Sequence, residues 1–190
     1  MIRLIVGLGN PGQKYAKTRH NAGFLLLNEL VKIEDGEFSL QSRFLGSLAE
    51  LVTSAGKLYL LKPNTFMNRS GQSVSLVMKY FKILPEEVMV VHDELDFSVG
   101  MMKLKFSGGH GGHNGLRDIV SAIGTKDFVR LRLGIDRPRE SSMLANYVLS
   151  DFSKLEAQKI DDVLAEFIQK VPQLCSGGYQ SVMNEINSRK

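Results

Sequence analysis

Arg3-Leu4-Ile5-Val6-Gly7-Leu8-Gly9-Asn10-Pro11-Gly12 is an apolar run that breaks into glycine, and Tyr15 and Thr18-Arg19-His20-Asn21 follow it closely. A short apolar stretch ending in glycine reads as a buried strand. Gly7, Gly9 and Gly12 also satisfy the G-x-G-x-x-G spacing of a dinucleotide site. Such a site needs a helix that opens at once, and an acidic residue ending a second strand about twenty residues on. Neither is present. Pro11 to Tyr15 reads as a turn and an irregular loop, and helical periodicity resumes only after His20. Glu29 falls inside the first predicted helix, and Asp35 follows that helix with no strand before it. The segment is therefore read as a strand feeding a catalytic loop, with no nicotinamide cofactor.

The same pattern of short apolar runs and helical stretches continues outward. Asn21 is placed to cap a helix over 22–32. Phe44–Thr53 and Lys57–Lys62 flank Ser54-Ala55-Gly56 as a hairpin. A second helix opens at Asn68 or Ser70 and reaches Phe81; Val88–Val91, Met101–Phe106 and Val129–Ile135 read as strands. Asn114 is expected to cap a short helix to Ile123, and from Ser153 the apolar spacing is helical. Alternation of this kind predicts an α/β sandwich: one domain over 1–190, with a central mixed, largely parallel twisted sheet flanked by helices.

With 190 residues, 43% hydrophobic and 23% charged, the chain has the composition of a globular protein. It has no apolar run of membrane-spanning length, so a cytoplasmic protein is expected. Cys175 is the single cysteine, which excludes an intrachain disulfide and reads as a buried thiol. The stretch from Gly100 to Glu140 holds eight basic and four acidic residues, equal to the whole formal excess of +4. A concentrated basic segment favours a polyanionic partner.

Four loci carry candidate chemistry, each at a strand end or in a loop. His20 can take a proton from water near neutral pH, and Asp93, just past an apolar strand, can fix its tautomer. Asn10, Asn68 and Asn114 offer uncharged amides suited to a peptide backbone or a developing oxyanion, while N-capping explains Asn68 and Asn114 equally. His110-x-x-His113 with His92 and Asp93 could ligate zinc, but a Gly-His-Gly-Gly-His loop holds ligands poorly, and no metal is expected. Lys103 and Lys105 share one face of a strand, and Arg130 and Arg132 repeat the arrangement, a candidate phosphate clamp or an ordinary solvated face.

These residues resemble bacterial-type peptidyl-tRNA hydrolases. The resemblance rests on Gly7–Gly12 with Tyr15–Gly23, on Thr65–Gly71, on His92–Asp96, on Gly109–Ile119 and on Phe128–Ile135, in order across about residues 3–150. It implies a monomeric α/β enzyme, without metal or cofactor, that hydrolyses the ester joining peptide to tRNA in free or stalled peptidyl-tRNA. By the resemblance, His20 is the base, Asp93 supports it, and Asn10 senses the substrate beside the ester. Asn68 and Asn114 would hold peptide and carbonyl, Tyr15, Phe66, Met67 and His113 would line the cleft, and Lys105 and Arg132 with Lys103 would bind tRNA phosphate. An RNA-binding protein of the same fold without hydrolysis is the alternative from another class.

Overall fold

The computed structural model describes residues 1–188. Its seven strands form one sheet: β1 (Leu4–Gly7), β2 (Ser39–Gln41), β3 (Gly46–Thr53), β4 (Gly56–Pro63), β5 (Val88–Glu94), β6 (Met102–Phe106) and β7 (Val129–Gly134), in the order β2-β3-β4-β1-β5-β7-β6. The four central strands β4, β1, β5 and β7 are mutually parallel. The edges are antiparallel, through the β2/β3/β4 meander on one side and β6 on the other. Parallel character thus resides in the buried middle of the sheet, where near-continuous apolar strands belong.

Seven helices are described: α1 (Ala22–Ile33), α2 (Ser70–Phe81), α3 (Asn114–Ile123), α4 (Leu144–Val148), α5 (Lys154–Ile168), α6 (Val171–Cys175) and α7 (Tyr179–Ser188). Alternation along the strands divides the core into two layers. Ile5, Met89, Val91 and Leu131 pack with α1 and α5–α7, whereas Leu4, Val6, Val88 and Val90 pack with α2 and α3. Helix α1 buries Leu26, Leu27, Leu30 and Val31, one stripe at helical spacing.

The opening glycines are there for packing. A Cβ on Gly7 would collide with the carbonyl of Gly23 in α1, and one on Gly23 would collide with the backbone of Leu8 and Val91. Only glycine lets α1 lie this close to β1 and β5. Two 3-10 turns, Gln13–Tyr15 and Arg19–Asn21, separate β1 from α1, so the strand does not run directly into a helix as a dinucleotide site requires.

Three expectations about helix caps are corrected, although α2 does open at Ser70 and end at Phe81 as expected. Asn21 makes no side-chain cap for α1; its amide instead exchanges two hydrogen bonds with the backbone of Asn10. Asn114 is the first residue of α3, and His113 is its cap. Helix α2 starts at Ser70 after Arg69 with no side-chain cap, and the Ser70 hydroxyl donates to the Met67 carbonyl. The hairpin and the helical stretch after Ser153 match expectation, the strand expected over Val88–Val91 runs on to Glu94, and α5 is capped by Ser153, while β2, α4 and α6 are too short for periodicity to reveal.

Candidate active site

Asp93 lies near the C-terminal end of central strand β5, 4% exposed. Two imidazoles converge on one of its oxygens. His20 Nδ1 is 2.9 Å from Asp93 Oδ1 and His113 Nε2 is 3.0 Å from the same atom. The rings of His20 and His113 stand 5.1 Å apart.

Hydrogen bonding assigns the tautomers. His113 Nδ1 accepts from the backbone N–H groups of Gly115 (3.2 Å) and Leu116 (3.4 Å) at the start of α3. It therefore carries no proton, and the ring proton sits on Nε2, which donates to Asp93. His20 presents Nδ1–H to the same carboxylate, which leaves His20 Nε2 with its lone pair and no protein hydrogen bond among the described residues. A base whose distal nitrogen is held by a carboxylate is poised to accept a proton at the other nitrogen.

The electrostatics follow from burial. Burial pulls the His20 pKa down, but the charge of Asp93 and its hydrogen bond outweigh it, so His20 titrates above its ordinary value of 6.5. Burial pushes the Asp93 carboxyl up, and the two histidines more than reverse this, holding it well below the usual carboxylate range. His92, on the opposite face of β5, behaves in the other sense: burial first, then His113, drive it down to about 3. Its Nδ1–H donates to the Asp93 carbonyl at 2.7 Å.

Of the three amide side chains, Asn114 lines the same cleft as His20, Asn10 lines the neighbouring cleft, and Asn68 lines neither. Asn10 is buried, and its Oδ1 accepts the Met67 N–H at 2.9 Å. That bond fixes which way the amide points and leaves Nδ2 as the donor. Asn68 and Asn114 are exposed and carry no side-chain hydrogen bond among the described residues, and neither is a cap. They flank one close contact: a Cβ on Gly115 would meet Met67 Sδ at 2.6 Å. Met67 is itself buried, Phe66 is 60% exposed and Tyr15 is half-buried; none of the three lines the cleft at His20.

That cleft, of about 280 Å³, runs from His20, Asp93 and Asn114 past Lys105 and Arg132 to Leu144 and Val148 of α4. The cross-strand pairs Lys103–Arg132 and Lys105–Arg130 put four cations on one face. Their employment differs. The Lys103 ammonium reaches the Asn187 carbonyl (2.9 Å) on α7, whose side chain also pairs with the edge backbone of Leu104. Arg130 is buried and donates to the carbonyls of Gly108 and Gly109, bracing the loop that carries His113. Arg132 pairs with Glu94 at 2.9 Å while facing the cleft, and Lys105 has no ion-pair partner among the described residues.

Sequence reasoning missed Arg19. Its guanidinium pairs with Glu156 through two 2.9 Å bonds, donates to the Asp151 carbonyl, and stacks on Tyr147 and Phe152. It thereby fastens the His20 turn to the segment beyond α4. The motif Thr18-Arg19-His20 contains it, but its partners lie 132 and 137 residues away. The metal-like pattern also resolves differently from its sequence form: His20, Asp93 and His113, rather than His110 and His92, have ligand-type atoms within 4.8 Å of one another. His110 Nδ1 instead accepts from the Gly112 N–H.

Comparison with known proteins agrees along the whole chain. The model of a family described as peptidyl-tRNA hydrolase matches residues 4–190. A peptidyl-tRNA hydrolase of Neisseria meningitidis serogroup C (strain 053442) is 45% identical over 188 residues, 99% of this chain and 98% of that one. One from Ruthia magnifica subsp. Calyptogena magnifica is 43% identical over 189 residues, covering 100% and 99%. The crystal structure of peptidyl-tRNA hydrolase from Acinetobacter baumannii superposes with a TM-score of 0.94 at 43% identity, covering 100% of this chain and 96% of that one.

Proposed function

The chain belongs to the peptidyl-tRNA hydrolase family, and from that premise we propose how its residues hydrolyse the ester bond of peptidyl-tRNA. The single observation that carries the reading is the shared oxygen of Asp93, 2.9 Å from His20 Nδ1 and 3.0 Å from His113 Nε2. His20 Nε2 removes a proton from water as the water oxygen bonds to the ester carbonyl carbon. Asp93 stabilises the imidazolium that forms. Amide donors from Asn10, Asn68 and Asn114 receive the charge that develops on the carbonyl oxygen. Collapse of the tetrahedral intermediate breaks the bond to the ribose oxygen, which takes the proton back from His20, so free peptide and intact tRNA leave.

Discrimination against unblocked aminoacyl-tRNA follows from the same amides. A peptide offers an acyl amide to hydrogen-bond, whereas a free ammonium brings charge and lacks that partner, so a buried amide such as Asn10 is left unsatisfied. Lys105 and Arg132, both on the cleft wall, bind phosphate at the acceptor end. Lys103, held at α7, takes a lesser part. The enzyme acts as a monomer in the cytoplasm on peptidyl-tRNA that is free or comes from stalled ribosomes. No helix among the described residues is long and apolar enough to cross a membrane.

The test is release of free peptide from purified N-acetyl-aminoacyl-tRNA, with unblocked aminoacyl-tRNA as control and chelator present. Release from the blocked substrate alone is expected, and no release from either would overturn the assignment.

A further inference from the structure

Beside the catalytic cleft lies a second one, of about 230 Å³, whose walls include Asn10, Asn21, Phe24, Asn28, Lys62 and Asn64. The two clefts meet at one 3-10 turn, with His20 lining the first and the adjacent Asn21 lining the second. Their chemistry differs sharply. The first carries charge of both signs, with Lys105, Arg130, Arg132 and Arg137 set against Asp93, Glu94 and Asp96, and its cations are suited to nucleic acid. The second is lined by amides and apolar groups, and Lys62 carries its only charge among the described residues. Neutral amide-rich walls match peptide, which has donors and acceptors along its backbone and no net charge.

Lys62 stands near the C-terminal end of β4, parallel to β1, where open α/β sheets place their ligands. Its Nζ donates to Asn28 Oδ1 at 2.7 Å and lies 3.9 Å from the centre of the Phe38 ring. No carboxylate of the described residues comes within ion-pair distance. The ammonium is half-buried, and burial lowers its pKa. A partly desolvated cation held in place by one neutral acceptor and an aromatic face is electrostatically unsatisfied, and an incoming anion would complete it.

We infer that this cleft receives the peptide portion of the substrate, and that Lys62 gives the enzyme a preference for peptides carrying an acidic side chain. The inference rests on the hydrolase reading above. An ester carbonyl beside Asn10 has its peptide chain continuing along the Asn10–Asn21 wall, which leads to Lys62. An Asp or Glu side chain there gains a charge-assisted hydrogen bond, while Lys or Arg meets a like charge.

The experiment uses three N-acetyl-tripeptidyl-tRNAs of one tRNA with Glu at the first, second or third position among alanines, each paired with its Gln counterpart. The readout is the ratio of kcat/KM for Glu over Gln, for the full-length enzyme and for Lys62→Gln and Lys62→Glu. At one position the ratio is expected to be about three- to fivefold for the unaltered enzyme, the scale of a partly exposed ion pair. It should fall to about one in Lys62→Gln and below one in Lys62→Glu, on the same like-charge scale. A ratio of one at all three positions, or one that both variants leave unchanged, overturns the subsite. Absence of release from every substrate by the unaltered enzyme would instead overturn the hydrolase reading.

Discussion

The polar residues around Asp93 and the basic residues of β6 and β7 occupy neighbouring parts of one sheet, yet they are built on opposite terms. Around Asp93 every group is committed to one arrangement. A buried carboxylate takes two imidazoles on one oxygen, and the N-terminus of α3 fixes the tautomer of His113. On β6 and β7, four cations share a face but have been given separate tasks: an edge-strand contact to α7, a brace under the glycine loop, an ion pair with Glu94, and an ammonium on the cleft wall with no ion-pair partner among the described residues. The first region is preorganised for a reaction, the second only partly for binding. Preorganised groups are expected to fail abruptly when one is removed, whereas a distributed cationic face should weaken by increments.

The largest break should come from His20→Ala, which removes the proposed base. Turnover of N-acetyl-aminoacyl-tRNA is expected to drop by about 10²–10⁴-fold, while tRNA affinity in a filter-binding assay stays within a few-fold. Unchanged turnover would refute the catalytic role.

A smaller effect distinguishes the two histidines of β5 and its neighbouring turn. His92 titrates at about 3 when folded against 6.5 as a free side chain. The unfolded chain therefore binds the proton first, and stability falls as pH drops from 6.5 towards 3. Between pH 7 and pH 5 this amounts to on the order of 2 kcal/mol. His20 has the opposite sign: its folded value is raised, so its contribution is full in acid and is lost as pH rises through that value. His92→Asn keeps a donor for the Asp93 carbonyl and should flatten the acid slope in urea unfolding. A slope as steep as that of the unaltered protein would contradict the buried neutral ring.

The smallest effects concern the basic strands. Lys105→Ala and Arg132→Ala should each reduce the salt dependence of tRNA binding by about one unit of slope. Lys103→Ala should leave the slope nearly unaltered, because its ammonium is spent on α7. Equal slopes for Lys105→Ala and the unaltered enzyme would rule out the phosphate clamp.

What was legible in the sequence follows the same division. The strand-to-glycine opening, the hairpin, the alternating strands and the pairing of His20 with Asp93 all show, because each is carried by a local pattern or by residue types at strand ends. The use made of each group did not show. Asn21 and Asn114 have the composition of helix caps, but Asn21 serves Asn10 and His113 takes the cap of α3. Arg130 and Arg132 are indistinguishable by alternation and both line the cleft, yet one is buried against loop carbonyls and the other pairs with Glu94. Arg19 reads as an ordinary charged residue until Tyr147, Phe152 and Glu156 fold around it. Local periodicity reports which face a side chain takes; its partner is chosen by segments a hundred or more residues away.

The claim at the centre is that Asp93 sets the basicity of His20. The direct measurement is the pH profile of kcat/KM for the unaltered enzyme and for Asp93→Asn. The activity of the unaltered enzyme should rise through a midpoint above 6.5, since the carboxylate outweighs burial at His20. In Asp93→Asn burial acts alone, so residual activity should rise through a midpoint displaced to lower pH. A midpoint that stays where it was after the carboxylate is gone would contradict the account.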